Sequence, residues 1–164
     1  MNTPGVASAS RRASASEWWL LAFPATYLVH IAEEYWSGET FWRWASRMSG
    51  ADFSHRDFVV LNAIAFGAMT VAALAARRLP HVRAVAVPAL ATVVAVNGAL
   101  HGVAALVTGT HSPGMVSGLV LWLPLGLWAL RRALRDAGRL DAAMAAGIAL
   151  GVAAQAMVSL IAFQ

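Results

Sequence analysis

Polar and apolar residues fall into long blocks along this chain. Apolar residues dominate five stretches, 18–36, 55–76, 84–107, 113–131 and 141–163, and charged residues collect mostly between them. A helix rises ~1.5 Å per residue, so each stretch is about long enough to cross the ~30 Å hydrocarbon layer of a bilayer. The pattern predicts an all-α, polytopic membrane helical bundle of about five transmembrane helices. Trp18 and Trp19 at one end of the first stretch, and Tyr35 and Trp36 at the other, stand where interfacial aromatic rings anchor a span. A short extra helix is expected at 40–49: Phe41, Trp44, Ala45 and Met48 share one side and Arg43 and Arg47 another, the pattern of a helix lying on a membrane surface.

Local signals set the boundaries. Ser54 and Asp57 have the spacing of a capping box and open the second helix near His55. Pro88 falls in an early turn of the third helix, where it can bend the axis. Ser112 followed by Pro113 predicts an N-cap and a first-turn proline for the fourth. The pairs Gly98 and Gly102, Gly114 and Gly118, and Gly147 and Gly151 put small residues one turn apart, which lets helices approach closely and also offers a route to a homo-oligomer. Residues 1–16 are small and polar around Arg11 and Arg12 and are expected to form a disordered cytoplasmic tail, leaving 17–164 as a single transmembrane domain.

Composition agrees with a bilayer environment: 59% of residues are hydrophobic and 12% charged, and mean hydropathy is +0.62, too apolar for an ordinary soluble domain. The basic residues are twelve Arg with no Lys, lying between the apolar blocks, which speaks for membrane topology and against nucleic-acid binding. Nine of them (Arg11, Arg12, Arg77, Arg78, Arg83, Arg131, Arg132, Arg135, Arg139) fall on one side of a five-span arrangement and three (Arg43, Arg47, Arg56) on the other. The bias places the amino terminus inside and the carboxyl terminus outside. Arg without Lys, with abundant Ala, suggests a GC-rich bacterium and hence its inner membrane. The chain has no Cys, so disulfides, thiolate ligands and a Cys nucleophile are excluded.

Ionisable groups inside a span cost at least ~2.5 kcal/mol each, so a helix that keeps three has a use for them. The first stretch keeps His30, Glu33 and Glu34, whose spacings of three and four bring both carboxylates beside the imidazole. The third carries Asn97 and His101 on one face. Counted from the cytoplasmic ends of the first and third helices, which run in the same direction, these two sets reach the same depth. Asn62 on the second stretch and His111 and Ser112 at the start of the fourth fall in the same layer. Because Glu34 follows His30 by four residues, it is the better-placed partner; Glu33 lies to the other side of the ring.

The H-x-x-E-E run from His30 to Glu34, the N-x-x-x-H run from Asn97 to His101, and Ser112-Pro113-Gly114 resemble the HXXEE-domain family of small bacterial membrane proteins. The likeness covers nearly the whole chain. Members commonly carry Tyr before Ser-Pro-Gly where this chain has His111, which leaves open whether His111 replaces a phenol or adds a ligand. The resemblance implies a shared site and names no reaction.

His30, Glu33, Glu34 and His101 are therefore the expected catalytic or metal-ligating residues, with Asn97, His111, Asn62 and Ser112 behind them. Two imidazoles and two carboxylates suit a divalent Zn, Fe or Mn ion. The expected function is a membrane-embedded enzyme acting on an apolar or lipid-like substrate. Metal-free acid–base isomerisation or cyclisation, a proton- or cation-coupled carrier, and a polar network that only fixes packing remain alternatives.

Overall fold

The computed structural model describes residues 17–163, and every regular element among them is helical. A 3-10 turn at Trp18–Leu21 leads into α1 (Ala22–Trp36); α2 is Phe41–Ser49, α3 His55–Arg78 and α4 Pro80–Thr108. A single turn, α5 (Met115–Ser117), then passes through a π-helical segment, Gly118–Trp122, into α6 (Leu123–Ala137); α7 is Ala142–Phe163. The tail expected at 1–16 lies outside the described residues.

Three helices, α3, α4 and α7, are long and apolar enough to cross a membrane. Their outward residues are apolar: Leu106 is 85% exposed and Ile64 and Val71 67%, a surface that water would not cover favourably and lipid would. By length and composition three such helices stand among the described residues, where the sequence pattern suggested about five. The 18–36 stretch holds only 15 residues of α-helix after its 3-10 turn, and the 113–131 stretch is divided by the π segment and runs on to Ala137.

The start of α3 follows its capping box: Ser54 Oγ accepts the Asp57 N–H (3.2 Å) and the Asp57 carboxylate accepts the Ser54 N–H (3.1 Å). Only Leu79 separates α3 from α4, which opens at Pro80, four residues earlier than expected, because proline suits the first turn. The helix continues through Pro88 to Thr108.

The helix after Ser112-Pro113 departs from expectation. Ser112 is no side-chain cap; Gly114, at φ +89°, turns the chain and the helix begins at Met115. The N–H groups of its second and third residues, Val116 and Ser117, are taken instead by Glu33 of α1, as described below.

α4 is the central helix, packed against α3, α6 and α7. Glycines make this closeness feasible. A Cβ at Gly126 would meet the Ala91 carbonyl at 2.5 Å and one at Gly151 the Ala89 carbonyl at 2.6 Å; Gly98 and Gly118 face each other between α4 and the π segment. The small-residue faces at 98, 118, 147 and 151 thus make contacts within the chain.

α2 uses its apolar side on the protein: Trp44 and Ala45 are buried with Phe53, Phe58 and Ala162, and Phe41 and Trp44 pack their rings on Phe163. Met48, expected on that side, is 40% exposed. Arg47 grips Glu39 with two hydrogen bonds (2.9 and 2.6 Å), which holds the Glu39 carboxyl below its ordinary range and fastens the entry to α2.

Candidate metal centre

One turn of α1 and one position of α4 build the site. His30 and Glu34 are four apart and share a face of α1; His101 comes from the far end of α4. Glu34 Oε1 stands 3.5 Å from His30 Nε2 and 3.5 Å from His101 Nε2. All three residues are buried, at 2%, 6% and 5% exposure, and one ligand atom from each lies within 4.8 Å of the others.

The other ring nitrogens are held from behind. His30 Nδ1 lies 2.8 Å from Ser117 Oγ and His101 Nδ1 3.0 Å from Ser112 Oγ. The Ser117 hydroxyl also approaches the Gly114 carbonyl at 3.4 Å, which leaves it free to accept from His30 Nδ1–H. With the proton on Nδ1, the His30 lone pair falls on Nε2, which is buried with no hydrogen-bond partner among the described residues. Nitrogen lone pair and carboxylate oxygen then face each other with no donor between them, an arrangement a cation would stabilise.

The donor set passes the test of fit for a divalent ion. The 3.5 Å separations exceed a charge-assisted hydrogen bond, ~2.7–2.9 Å. They match the edge of about 3.4 Å expected between ligands bonded at ~2.0–2.1 Å in tetrahedral coordination. The third separation, between the two imidazole nitrogens, is wider, within 4.8 Å, so one ring must move inward to close the shell around an ion. Imidazoles tied back through their second nitrogen are the usual form of histidine ligands.

Glu33, expected beside Glu34 as a ligand, turns away. Its carboxylate accepts the N–H groups of Val116 (2.9 Å) and Ser117 (2.6 Å). These are unsatisfied donors at a helix start, where negative charge is also favoured by the helix dipole. Glu33 thereby fixes the residue that holds His30. The two glutamates of the motif have separate partners.

The Ser-Pro-Gly run closes the cluster. Ser112 and Pro113 are fully buried. A Cβ at Gly114 would lie 2.8 Å from His30 Cε1, 3.0 Å from His101 Cε1 and 3.1 Å from Glu34 Cγ, so only glycine fits, quite apart from its positive φ. Trp122 forms the remaining wall: it stacks on the His30 ring at 3.9 Å and 24° and is 2% exposed. Phe41 of α2 places its ring 6.0 Å from that of His101.

Among the other expected residues, Asn97 lies against His30, and its Oδ1 is a buried atom with no hydrogen bond among the described residues. Asn62 stays one ring away: it accepts the Tyr27 hydroxyl (2.8 Å), and Tyr27 packs on Trp122 at 5.3 Å. His111 is exposed, and no hydrogen bond or ring contact among the described residues joins it to the cluster. Ser117 and Trp122 escaped the sequence reading because they are five residues apart. An α-helix separates such a pair by ~140°, whereas the i→i+5 turn of the π segment puts both on His30. Trp122 belongs to the core.

No curated protein and no solved structure matches the chain. The family model described as "Protein of unknown function with HXXEE motif" matches residues 21–129. That span runs from the 3-10 turn before α1 through the Ser-Pro-Gly run into α6, and so contains every residue of the buried cluster. The chain belongs to the HXXEE family, whose signature His and second Glu are two of the three groups that converge here.

Proposed function

We propose that His30 Nε2, the Glu34 carboxylate and His101 Nε2 hold one divalent ion, Zn, Fe or Mn, inside a membrane protein that acts as an enzyme on an apolar or lipid-like substrate. The observation that carries this reading is the buried His30 Nε2, unpaired and facing Glu34, while Nδ1 is already tied to Ser117. An ion bound there supplies Lewis acidity in a site of low dielectric. The chain's own groups do the rest: Ser112 and Ser117 set the ring orientations, Glu33 and Gly114 fix the loop over the cluster, and Trp122 and Phe41 exclude water.

The same reading takes all five apolar stretches as crossing a bacterial inner membrane, amino terminus inside. The distribution of Arg supports it, as does the combined length of the 3-10 turn and α1. The shared burial of two imidazoles with one carboxylate also supports metal-free proton transfer, with Glu34 as the shared base. Elemental analysis of protein purified without chelators separates the two. The metal reading predicts about one equivalent of a first-row divalent ion, lost in His101→Ala. Metal-free protein that also fails to take up Zn, Fe or Mn on addition would leave the acid–base reading in place.

A further inference from the structure

At the far end of α4 from the metal centre, a polar cavity of about 430 Å³ opens between the 3-10 turn, α4, α6 and α7. Arg83 and His101 are eighteen residues apart on α4 (101 − 83), or ~27 Å along its axis. The cavity therefore has no part in the His and Glu chemistry. Its volume falls within the ~300–1,000 Å³ typical of small-molecule sites. All three membrane-length helices have an end here: α3 stops at Arg78, α4 starts at Pro80 and α7 starts at Ala142. If they cross a bilayer, the cavity lies at headgroup depth.

Its walls carry charges of both signs. Arg83 and Arg132 line it together with Glu17, Asp136, Asp141 and the Trp19 ring, the two signs of charge side by side. Arg83 bonds Glu17 at 2.7 Å. Arg132 reaches Glu17 only at 4.0 Å and Asp136 only at 3.8 Å, both beyond hydrogen-bond length, while its guanidinium is held 5.0 Å over the Trp19 ring. A planar donor fork is thus positioned beside a cavity without a hydrogen-bonded acceptor among the described residues.

We propose that this cavity binds a zwitterionic group joining a phosphodiester to a primary ammonium, the chemistry of a phosphatidylethanolamine headgroup. The phosphate falls to Arg132 and to Arg83, on the latter in place of the Glu17 carboxylate. The ammonium falls to Asp136 and Asp141. An anion alone would satisfy the arginines and face three carboxylates; a zwitterion brings an ammonium to them, the displaced Glu17 included. The acyl chains would leave toward the apolar outer surface.

The test is the thermal midpoint of detergent-solubilised, delipidated protein with added phosphatidylethanolamine, phosphatidylcholine or phosphatidylglycerol. Phosphatidylethanolamine should raise the midpoint by on the order of 5 °C at a hundredfold excess over Kd. The other two should raise it less, since one has no N–H donor and the other no ammonium. Soluble glycerophosphoethanolamine separates the sources: an equal rise identifies a free ligand, no rise a lipid. Arg83→Gln with Arg132→Gln should abolish the rise. Asp136→Asn, at a residue whose side chain is 72% exposed and so tolerant of change, should remove the preference for phosphatidylethanolamine over phosphatidylglycerol. Equal rises with all three lipids, or a preference that survives Asp136→Asn, would overturn the proposal.

Discussion

At adjacent positions on α1, Glu34 leans toward two imidazoles while Glu33 reaches across to the first N–H groups of another helix. The difference predicts distinct losses. Glu34→Gln removes the only charged oxygen facing both Nε2 atoms, and metal should fall below detection after dialysis. Glu33→Gln keeps one acceptor but presents an amide N–H₂ to a backbone donor, which loosens Ser117 and with it His30. Supporting groups of this kind typically contribute 10- to 100-fold in metal affinity, so a loss in that range is expected, with the metal still bound at saturating concentration. Titration of both variants with Zn decides; equal and complete loss in Glu33→Gln would make it a ligand after all. The spacing of His30, Glu33 and Glu34 already ranked Glu34 as the better partner of His30. It gave no sign that Glu33 had a use elsewhere, because that partner lies more than eighty residues away.

Among the elements, the π segment Gly118–Trp122 decides which side chains meet His30. Its i→i+5 turn brings Ser117 and Trp122 to one ring, the first at 2.8 Å through Nδ1 and the second stacked at 3.9 Å. Deleting Val120, whose side chain is 65% exposed, should convert the segment to regular α-helix in which Ser117 and Trp122, then four residues apart, keep a common face. Metal affinity and helix content by circular dichroism should both stay near wild type. A marked loss of affinity would show that the π turn's own geometry, and not only the shared face, places the two side chains on His30. Such a turn has no signature in apolar periodicity, so the 113–131 stretch read as one uniform helix. The capping box at Ser54 and Asp57 was legible because both of its partners lie within four residues.

For the whole molecule, the arginine bias predicts which loops face outward. In the Cys-free chain, cysteine introduced by Ser49→Cys or Thr110→Cys should react with an impermeant thiol reagent added outside intact cells. Leu79→Cys and Ala137→Cys should not. All four positions are exposed, so a missing reaction reports the membrane rather than burial. The opposite pattern would invert the molecule while leaving the metal centre in place, since the cluster depends on contacts among helices and not on their direction across the bilayer.

The long apolar blocks, the caps beside them and the ionisable residues inside them were readable from sequence because each is a local property: hydropathy, a spacing of three or four, a charge where lipid would not welcome one. They led to an all-helical bundle and to His30, Glu33, Glu34 and His101 as a meeting point, of which Glu33 turned out to face the helix start at Val116 and Ser117. Tertiary structure alone decided the rest. Which helix runs are continuous depends on backbone packing at Gly98 and Gly118. Gly114 is required because three side chains of other helices crowd its Cβ. Ser112 leaves its expected cap for His101, and Glu33 takes the cap's role, because hydrogen-bond partners far apart in the chain compete on equal terms once the helices dock.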